Sequence, residues 1–426
     1  MKKIAIHWKI LIGLLLGIIW GLAAISFGWI EFTKLWIKPF GTIFINLLML
    51  IAVPLVLASL IKGVSSLNDA AKLSRIGGKT FGLYLITTVV AVAIGLLLVN
   101  TFRPGDTFSE EKKQQLKEQY ASKAFEKQQA AGQYKEKGPL DFFVDIVPRN
   151  IFFSLQDNKN MLQVIFFAIL FGFALVLIPE NKAAPVINFF DGVFEAIIKV
   201  VEIIMKAAPI GVFALLAGII VDFAGDILEL LTALLFYSFT VITGLVFLAY
   251  VLYPLVLRIF TKMKYADFLK GITPAQLVAF STSSSAATLP VTMKQCEEKL
   301  GVSKEITSFA LPLGATINMD GTSLYQSVAA VFIAQAFGHD LTIAHQLTIV
   351  LTATLASIGA AAVPGAGTVM LVIVLQAIGI DPAGIALIFA MDRPLDMCRT
   401  AVNVTGDAMV ATIVAHSEGQ LKIRDC

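Results

Sequence analysis

Residues 276–293 read QLVAFSTSSSAATLPVTM, a run of serines and small residues between two short apolar arms. Each arm is too short to cross a hydrocarbon core of roughly 30 Å, which takes about 20 residues of helix. A serine-rich turn at that depth is tolerated only where protein or a water-filled cavity surrounds it. The segment, with bounds near 266–300, is therefore predicted to enter the membrane and turn back as a re-entrant helical hairpin.

A second segment, near 345–376, repeats this design around TLASIGAAAVPGAG at residues 354–367. Glycine and proline break a helix there and free backbone carbonyls and amides. Carbonyls suit a cation, and the N-terminus of a half-helix suits an anion. One such interruption would be ordinary glycine and proline tolerance in a packed membrane helix. Two interruptions in matching positions indicate a transporter binding site.

The composition indicates a protein embedded in a lipid bilayer. Of its 426 residues, 57% are hydrophobic and 15% are charged, and the mean hydropathy is +0.81. Soluble domains have roughly 45–50% apolar and 25% charged residues. The long apolar runs leave no basic face for a nucleic acid. Cys296, Cys398 and Cys426 form neither a disulfide framework nor a metal motif.

Eight spanning helices are predicted from the apolar runs. Six carry few charges, near residues 10–30, 38–61, 81–101, 151–178, 184–220 and 228–257, and two carry more ionisable groups, near 305–336 and 380–415. Lys and Arg in alternate short loops predict a cytoplasmic N-terminus. On that parity the polar insert 102–148 is extracytoplasmic. The first run continues past signal-peptide length and is predicted to be a retained helix.

The last of these helices carries a stripe of polar residues. Asp392, Asp396, Arg399, Asn403 and Asp407 fall within about 80° of one another at 100° per residue. Each charge at mid-membrane costs roughly 2.5–3.5 kcal/mol on insertion scales. A purely structural ion-pair network is one interpretation, but three carboxylates exceed the single arginine on the stripe. Bound cations and a zwitterionic or anionic ligand would complete the charge balance.

The seventh helix contains GATINMDGT at residues 314–322, in which Gly, Asn and Asp are poor helix formers. This composition predicts local unwinding inside the membrane beside the carboxylate of Asp320. Free carbonyls and a carboxylate are oxygen ligands that suit a hard cation such as Na⁺. Tyr84, Thr87 and Thr88 on the third helix would add hydroxyls, although such hydroxyls often bond their own helix.

Motifs of enzyme chemistry lack support. Gly78-Lys79-Thr80 resembles the end of a P-loop, but Leu73 occupies the position of the required earlier glycine. The serines of residues 281–285 have no evident histidine partner, because all four histidines lie near helix ends or in loops. The chain is therefore predicted not to be an enzyme.

Four motifs, in order along the chain, carry a resemblance to a known family. They are the serine tip ending in TLP at residues 288–290, NMDGT at 318–322, VPGAG at 363–367 and DMCRTAVNVTGD at 396–407. Together they resemble the dicarboxylate/amino acid:cation symporter family, the glutamate transporters and their prokaryotic homologues. The resemblance implies an all-α polytopic membrane fold with eight transmembrane helices and two re-entrant hairpins arranged as inverted repeats.

The resemblance also implies an assembly. Members are homotrimers, in which a trimerising scaffold, here residues 1–80 (helices 1 and 2) and 149–220 (helices 4 and 5), holds a mobile transport domain. That domain would comprise helix 3 at 81–101 and residues 221–426, with helices 6–8 and both hairpins. Substrate would cross by an elevator motion, with the second hairpin as extracellular gate.

For the substrate, the resemblance implies that Arg399 takes the side-chain carboxylate of an acidic amino acid in a bidentate pair, and that Asp396 takes the α-amino group. Asn403, Thr322 and backbone at the first-hairpin tip would hold the α-carboxylate. The expected substrate-binding residues are Ser284, Ser285, Thr322, Val363, Gly367, Asp396, Arg399, Thr400 and Asn403.

For sodium, the resemblance implies three sites. The first would be formed by Asp407, Asn403 and the carbonyls of Gly314 and Asn318. The second, under the second hairpin, would be formed by Thr316 and the carbonyls of Ser357, Ile358 and Ala360. The third would be formed by Asp320, Asn318, Tyr84, Thr87 and Thr88.

The sequence departs from the family pattern at a second arginine near the site. Members commonly carry it in the first-hairpin tip or two residues before the equivalent of Arg399, where this chain has Ser283 and Met397. Potassium counter-transport is therefore not carried over from the resemblance.

Sodium-driven uptake of glutamate or aspartate across the cell inner membrane is the predicted function. Proton coupling is the rival, because protonatable aspartates serve either ion. A C4-dicarboxylate symporter would not need Asp396 as an amine partner, and a neutral amino acid transporter would not need Arg399. An anion channel or a non-transporting sensor is an alternative without a sequence feature of its own. The expected partners are the lipid bilayer, Na⁺, an acidic amino acid and two further copies of the chain, with no nucleic acid.

Overall fold

The structure is a computed structural model that describes residues 6–65, 73–120, 147–156, 160–222, 227–261, 263–358 and 365–422. Within these ranges the chain is helical apart from turns, short connections and one isolated antiparallel bridge between Val302 and Leu421. The longer helices are α1 (Ile6–Ser26), α2 (Lys38–Ser65), α3 (Leu73–Phe102), α4 (Glu110–Tyr120), α5 (Met161–Leu177), α6 (Glu180–Asp222), α7 (Ile227–Phe247), α8 (Tyr253–Phe260), α9 (Tyr265–Thr282), α10 (Ser285–Glu298), α11 (Lys304–Ile317), α12 (Asp320–Ala336), α13 (Ile343–Ile358), α14 (Ala366–Ala377) and α15 (Ile385–Ser417). Shorter helical turns lie at Ile30–Phe32, Thr33–Ile37, Pro104–Thr107, Ile151–Ser154, Leu248–Leu252 and Pro382–Gly384.

Several helices have the length and composition of membrane spans. In the described ranges, four helical stretches are long and apolar enough to cross a bilayer: Ile30–Lys62, Ile76–Thr107, Glu180–Asp222 and Leu228–Phe260. Shorter apolar helices lie at Ile12–Ser26, Gln163–Leu177, Ile343–Ser357 and Ala366–Ala377. Many large apolar side chains on these helices are exposed, as expected for a surface that faces lipid.

The N-terminal part of the chain packs around α6. This helix runs for 43 residues and lies along both α1 and α2, while α5 packs mainly against α2. At one end, Lys38 Nζ lies 2.6 Å from Asp222 Oδ2. The Asp222 side chain is almost fully buried, so this ion pair ties the first residue of α2 to the last residue of α6.

Two helix–turn–helix pairs coincide with the interrupted segments of the sequence. In the first hairpin, α9 is followed by Ser283, whose φ of 52° reverses the chain direction. The next residue, Ser284, caps α10, because its hydroxyl accepts from the Ala287 amide at 3.1 Å. The second hairpin consists of α13 and α14, and its connecting residues 359–364 are outside the described ranges.

The core of the C-terminal part is a broken helix beside an unbroken one. Helix α11 ends at Ile317, Asn318 is extended, and α12 begins at Asp320, as the poor helix formers of this stretch predict. All 17 residues of α12 are buried. Helix α15 contacts α7, α9, α11 and α12, so polar groups of α12 and α15 face each other inside the protein.

A short clasp follows α15. The Lys422 amide donates to the Gly301 carbonyl at 2.9 Å, and the Ser303 amide donates to the Gln420 carbonyl at 3.2 Å. These bonds join the segment after α15 to the loop between the first hairpin and α11. Glu418 also pairs with Lys79 at the start of α3, at 2.6 Å.

The clasp requires glycine at position 301. Gly301 has a φ of 73°, and a Cβ there would lie 1.9 Å from the Lys422 carbonyl oxygen. We expect Gly301→Ala to lower the free energy of unfolding by about 1–2 kcal/mol for backbone strain and about 1 kcal/mol for each bridge hydrogen bond lost. Denaturation of the detergent-solubilised protein measures this.

Gly419→Ala is the matched control, because Gly419 has a φ of 66° but open space around its Cβ position. The control retains the backbone strain without the clash. Equal losses of stability in the two variants would contradict the role assigned to the clasp.

Candidate functional site

A buried carboxylate, Asp320, stands at the start of α12 inside a cage of hydroxyls. Thr88 of α3 donates to Oδ1 at 2.9 Å, and the Thr87 hydroxyl lies 3.2 Å from Oδ1 and 3.1 Å from the Tyr84 carbonyl, between which its one hydrogen is shared. Tyr253, the first residue of α8, donates to Oδ2 at 3.0 Å. The break before α12 turns this carboxylate towards α3 and α8, and it is fully shielded from solvent.

A second buried carboxylate, Asp407 of α15, lies next to the break. Its Oδ1 accepts from the Asn318 side-chain nitrogen at 2.9 Å, and the Asn318 Oδ1 is buried without a hydrogen-bond partner among the described residues. A Cβ at Gly314 would lie 2.7 Å from Asp407 Oδ1 and 2.4 Å from the Tyr84 hydroxyl, so the backbone of α11 lies close to both. The Tyr84 hydroxyl donates to the Ala310 carbonyl at 3.0 Å.

These two carboxylates lack a cationic partner. Across the described ranges, the hydrogen bonds of Asp320 come from hydroxyls and that of Asp407 from an amide, and neither pairs with Lys or Arg. A buried ionised carboxylate without a counter-charge is strongly disfavoured. The C-terminus of α11, with its partial negative charge, points into the same region. The region therefore favours a cation, either a metal ion with oxygen ligands or a proton.

The two carboxylates nearer the N-terminus of α15, Asp392 and Asp396, are paired with arginines. Arg399 Nε donates to Asp396 Oδ1 at 2.9 Å, and its Nη1 lies 3.4 Å from Asp392 Oδ1. Asp392 also accepts from the Tyr325 hydroxyl at 2.8 Å. Arg393 Nη1 lies 3.2 Å from the second oxygen of Asp396. All four charged side chains are buried.

The guanidinium of Arg399 lies between an aromatic ring and the second hairpin. Its Cζ is 4.1 Å from the centroid of the Tyr325 ring, a cation–π geometry. A Cβ at Gly367 would lie 2.7 Å from Arg399 Cζ, so only glycine lets the backbone of α14 lie on the guanidinium. Arg399 Nη2 is 2.9 Å from Asp396 Oδ1 but has no acceptor in hydrogen-bonding geometry within the described part, which leaves donor capacity for a ligand.

The N-terminus of α12 meets α15 next to this network. Asn403 Oδ1 accepts from the Gly321 amide at 2.8 Å, and Asn403 Nδ2 donates to the Thr322 hydroxyl at 3.0 Å. The Thr400 hydroxyl donates to the carbonyl of Asp396 at 2.7 Å. Amides at a helix N-terminus and adjacent hydroxyls suit a carboxylate ligand.

The structure thus brings most of the expected residues into two adjoining groups. One group contains Tyr84, Thr87, Thr88, Gly314, Asn318, Asp320 and Asp407. The other contains Thr322, Gly367, Asp396, Arg399, Thr400 and Asn403. The groups meet where Asn403 and Asp407 stand one turn apart on α15.

Other expected residues are not joined to these groups by the described bonds. Ser284 and Ser285 are buried at the first-hairpin tip, where Ser284 caps its own helix. The Thr316 hydroxyl bonds the Leu313 carbonyl, and the Ser357 hydroxyl bonds the Thr354 carbonyl, each within its own helix. Ala360 and Val363 lie outside the described residues, and only the backbone of Ile358 is described.

Three contributors escaped the sequence analysis: Tyr253, Tyr325 and Arg393. The prediction that a single arginine lies with the three carboxylates of the stripe was incomplete. Arg393 lies 60° from Asp396 around the helix axis, and its side chain still contacts that carboxylate. The i,i+3 spacing of Arg393 and Asp396 was a usable signal. No sequence signal pointed to Tyr253, because its contact with Asp320 joins segments 67 residues apart. In the described ranges no cluster of three or more His, Cys, Asp or Glu side chains could hold a metal, so a cation at Asp320 or Asp407 would take its other ligands from hydroxyl, amide and carbonyl oxygens.

Comparison with known proteins agrees with this geometry. Residues 6–417 match the profile of the Sodium:dicarboxylate symporter family. The chain is 39% identical over 426 aligned residues to the proton/sodium-glutamate symport protein of Geobacillus stearothermophilus, covering 99% of this chain and 96% of that relative. It is 36% identical over 424 residues to the proton/glutamate-aspartate symporter of Escherichia coli strain K12, covering 98% and 93% of the two chains.

A similar relation extends to an animal protein. Excitatory amino acid transporter 3 of Mus musculus is 37% identical over 416 residues, which covers 88% of this chain and 78% of the relative. Family members are symporters rather than enzymes. The match over nearly the whole chain, together with the apolar helices and the buried polar site, establishes a multi-pass membrane transporter that belongs to the sodium:dicarboxylate symporter family.

Proposed function

We propose that the protein is a sodium-coupled symporter of acidic amino acids, with L-glutamate and L-aspartate as substrates. The observation that carries the proposal is the pair of buried carboxylates, Asp320 and Asp407, without a cationic partner in the described ranges, next to an arginine with unused donors. The carboxylates of Asp320 and Asp407 require cations to balance their charge. Arg399 and Asp396 offer a positive and a negative charge to a zwitterionic substrate. The printed names of relatives, which specify glutamate or aspartate, support the same substrate class.

For the substrate, Arg399 would bind the side-chain carboxylate through two parallel hydrogen bonds, and Asp396 would bind the α-ammonium. The substrate would thereby divide the present Arg399–Asp396 pair and supply each partner with its own counter-charge. Thr322, Asn403 and the N-terminus of α12 would hold the α-carboxylate, with Thr400 adjacent. We retain Ser284, Ser285, Val363 and Gly367 as hairpin contributions to the same site.

For the cations, we propose one Na⁺ at Asp407 with Asn403 and the Gly314 and Asn318 carbonyls. A second would occupy the cage of Asp320, Thr87 and Thr88, with Asn318 and Tyr84, to which we add Tyr253. A third would lie under the second hairpin, with Thr316 and the carbonyls of Ser357, Ile358 and Ala360. All ligands are oxygens, which suits a hard cation.

Proton-coupled transport of glutamate, aspartate or a C4-dicarboxylate is the second candidate. The observation that supports proton coupling is the set of hydroxyl and amide partners around Asp320 and Asp407. These partners accommodate a protonated carboxyl as readily as a cation. Relatives are named for both ions. The buried Asp396, which a C4-dicarboxylate would leave without an amine, favours the amino acid.

For the mechanism, we propose an elevator in an inner-membrane homotrimer with a cytoplasmic N-terminus. Residues 1–80 and 149–220 would form the scaffold, and 81–101 with 221–426 the transport domain. The packing of α6 along α1 and α2, and of α15 on α11 and α12, supports this division. The second hairpin, whose α14 lies on Arg399, would open to admit substrate.

Uptake into proteoliposomes tests the proposed function. We expect an inward Na⁺ gradient at equal pH to concentrate radiolabelled glutamate and aspartate, and a proton gradient without Na⁺ to leave both at equilibrium. Uptake driven by the proton gradient alone would show that the coupling ion is the proton rather than sodium. Saturable binding without uptake would indicate a sensor, and a substrate-independent current would indicate a channel.

Arg399→Ala tests the substrate pose. Loss of a bidentate charged pair should weaken glutamate binding by more than about 100-fold. Sodium binding, measured as Na⁺-dependent thermal stabilisation, should persist because the Asp320 and Asp407 groups are intact. Arg258→Ala on the exposed face of α8 is the control. Retained glutamate affinity in the Arg399 variant would refute the pose.

Thr88→Val tests the hydroxyl cage. Removing one ligand oxygen should raise the sodium concentration for half-maximal uptake by roughly tenfold, since hydrogen bonds to charged groups contribute about 1.5–3 kcal/mol. The matched control is Thr80→Val on the same helix, because Thr80 is also buried but its hydroxyl bonds the Ile76 carbonyl. Equal sodium dependence in both variants would exclude Thr88 from the cation site.

A further inference from the structure

Arg393 is a buried arginine that the proposed binding poses do not use. It stands one turn before Asp396 on α15, and its Nη1 lies 3.2 Å from Asp396 Oδ2. Only 6% of the residue is exposed. Its Nε is buried and has no hydrogen-bond partner in the described part of the chain.

Both carboxylate oxygens of Asp396 accept hydrogen bonds from protein groups in this structure. Oδ1 accepts from Arg399, and Oδ2 faces both Arg393 and the amide of Gly365, which donates at 3.2 Å. Gly365 immediately precedes α14, so the second hairpin rests on this carboxylate. The oxygen that accepts from the hairpin amide is thus the same one that Arg393 contacts.

The charges around Asp396 are balanced without a ligand. Two carboxylates, Asp392 and Asp396, face two guanidiniums, Arg393 and Arg399. The Asp320 and Asp407 group has no such balance. The substrate half of the site can therefore be empty and closed, whereas removal of Arg393 would leave one negative charge in excess.

Arg399 also contacts Asp396, but it faces Asp392 as well, so it cannot neutralise both carboxylates alone. Arg393 and Asp392 line a cavity of about 20 Å³, the size of one water molecule, whose other lining residues are apolar apart from Thr368 and include Ile10, Phe44 and Leu48 of α1 and α2. In such apolar surroundings an unpaired carboxylate is strongly disfavoured. Arg393 therefore supplies the second positive charge that Asp392 and Asp396 need once a substrate ammonium group has left.

We propose that Arg393 is a positioning residue that serves as the internal counter-ion of Asp396 and lets the second hairpin close on the substrate-free site. In a carrier, this closure permits the empty site to return across the membrane. The substrate ammonium and Arg393 share the neutralisation of Asp396 in the loaded state, and Arg393 and Arg399 together neutralise Asp392 and Asp396 when the substrate leaves. The transport consequence rests on the proposed function, whereas the closure of the hairpin does not.

The first test measures the hairpin directly and requires no substrate. Hydrogen–deuterium exchange of the detergent-solubilised, ligand-free protein is followed over residues 366–377. Arg393→Gln should speed exchange in this hairpin by roughly tenfold or more, because the closed hairpin would then enclose an uncompensated negative charge. Arg393→Lys and the exposed-surface control Arg258→Gln should retain wild-type exchange. Unchanged exchange in Arg393→Gln would overturn the proposal.

The second test separates the loaded from the empty carrier. Exchange of labelled for unlabelled substrate across proteoliposomes needs only loaded transitions, whereas net uptake needs the empty return. Arg393→Gln should slow net uptake about tenfold while changing exchange by less than about twofold, and Arg393→Lys should restore net uptake. An equal fall in both rates would indicate a merely structural role and overturn the proposal. Wild-type protein that transports neither amino acid would refute the proposed function, and the hairpin measurement would still decide the role of Arg393.

Discussion

The burial of Asp320 and Asp407 among hydroxyl and amide groups is the constraint on which the rest of the site depends. Water would solvate these carboxylates at little cost, but the interior between α3, α8, α12 and α15 excludes it. The local structure is arranged around this requirement. The break between α11 and α12 supplies free backbone groups beside Asn318, and Gly314 lets the α11 backbone approach both Asp407 and Tyr84. A continuous helix at residues 317–320 would point the same side chains elsewhere.

The site has two electrostatic halves with different behaviour. The half at Asp392 and Asp396 is neutral by itself, because two arginines match two carboxylates. The half at Asp320 and Asp407 is anionic until a cation or proton enters. Asn403 stands at the border, with its amide on Gly321 and Thr322 and with Asp407 one turn away. A cation bound at Asp407 would thus fix the groups proposed to hold the substrate α-carboxylate, which is a physical route by which the occupancy of one half would favour the other.

Local features of the site were predictable from sequence, and tertiary ones were not. Unwinding at Asn318 follows from residue types, and the stripe of Asp396, Arg399, Asn403 and Asp407 follows from helical periodicity. Arg393 joins the charged network because its long side chain reaches around the helix to Asp396. A projection of Cα positions does not show this contact. Tyr253 and Tyr325 looked like ordinary apolar-helix tyrosines, because only the fold brings their hydroxyls to Asp320 and Asp392. The clasp at Gly301 depends on a pairing with residue 422 that no local pattern indicates.

The hydroxyl cage of Asp320 has a property that side chains of other types would lack. A hydroxyl is both a donor and an acceptor, and its hydrogen can rotate about the C–O bond. The hydroxyls of Thr87, Thr88 and Tyr253 that now donate to the carboxylate could turn their lone pairs to a small cation with little displacement of any heavy atom. An ammonium group in one of these positions has no lone pair and would have to move away instead. Loading and unloading at this place would then need almost no rearrangement of the packed helices, and larger motions would be left to the hairpins.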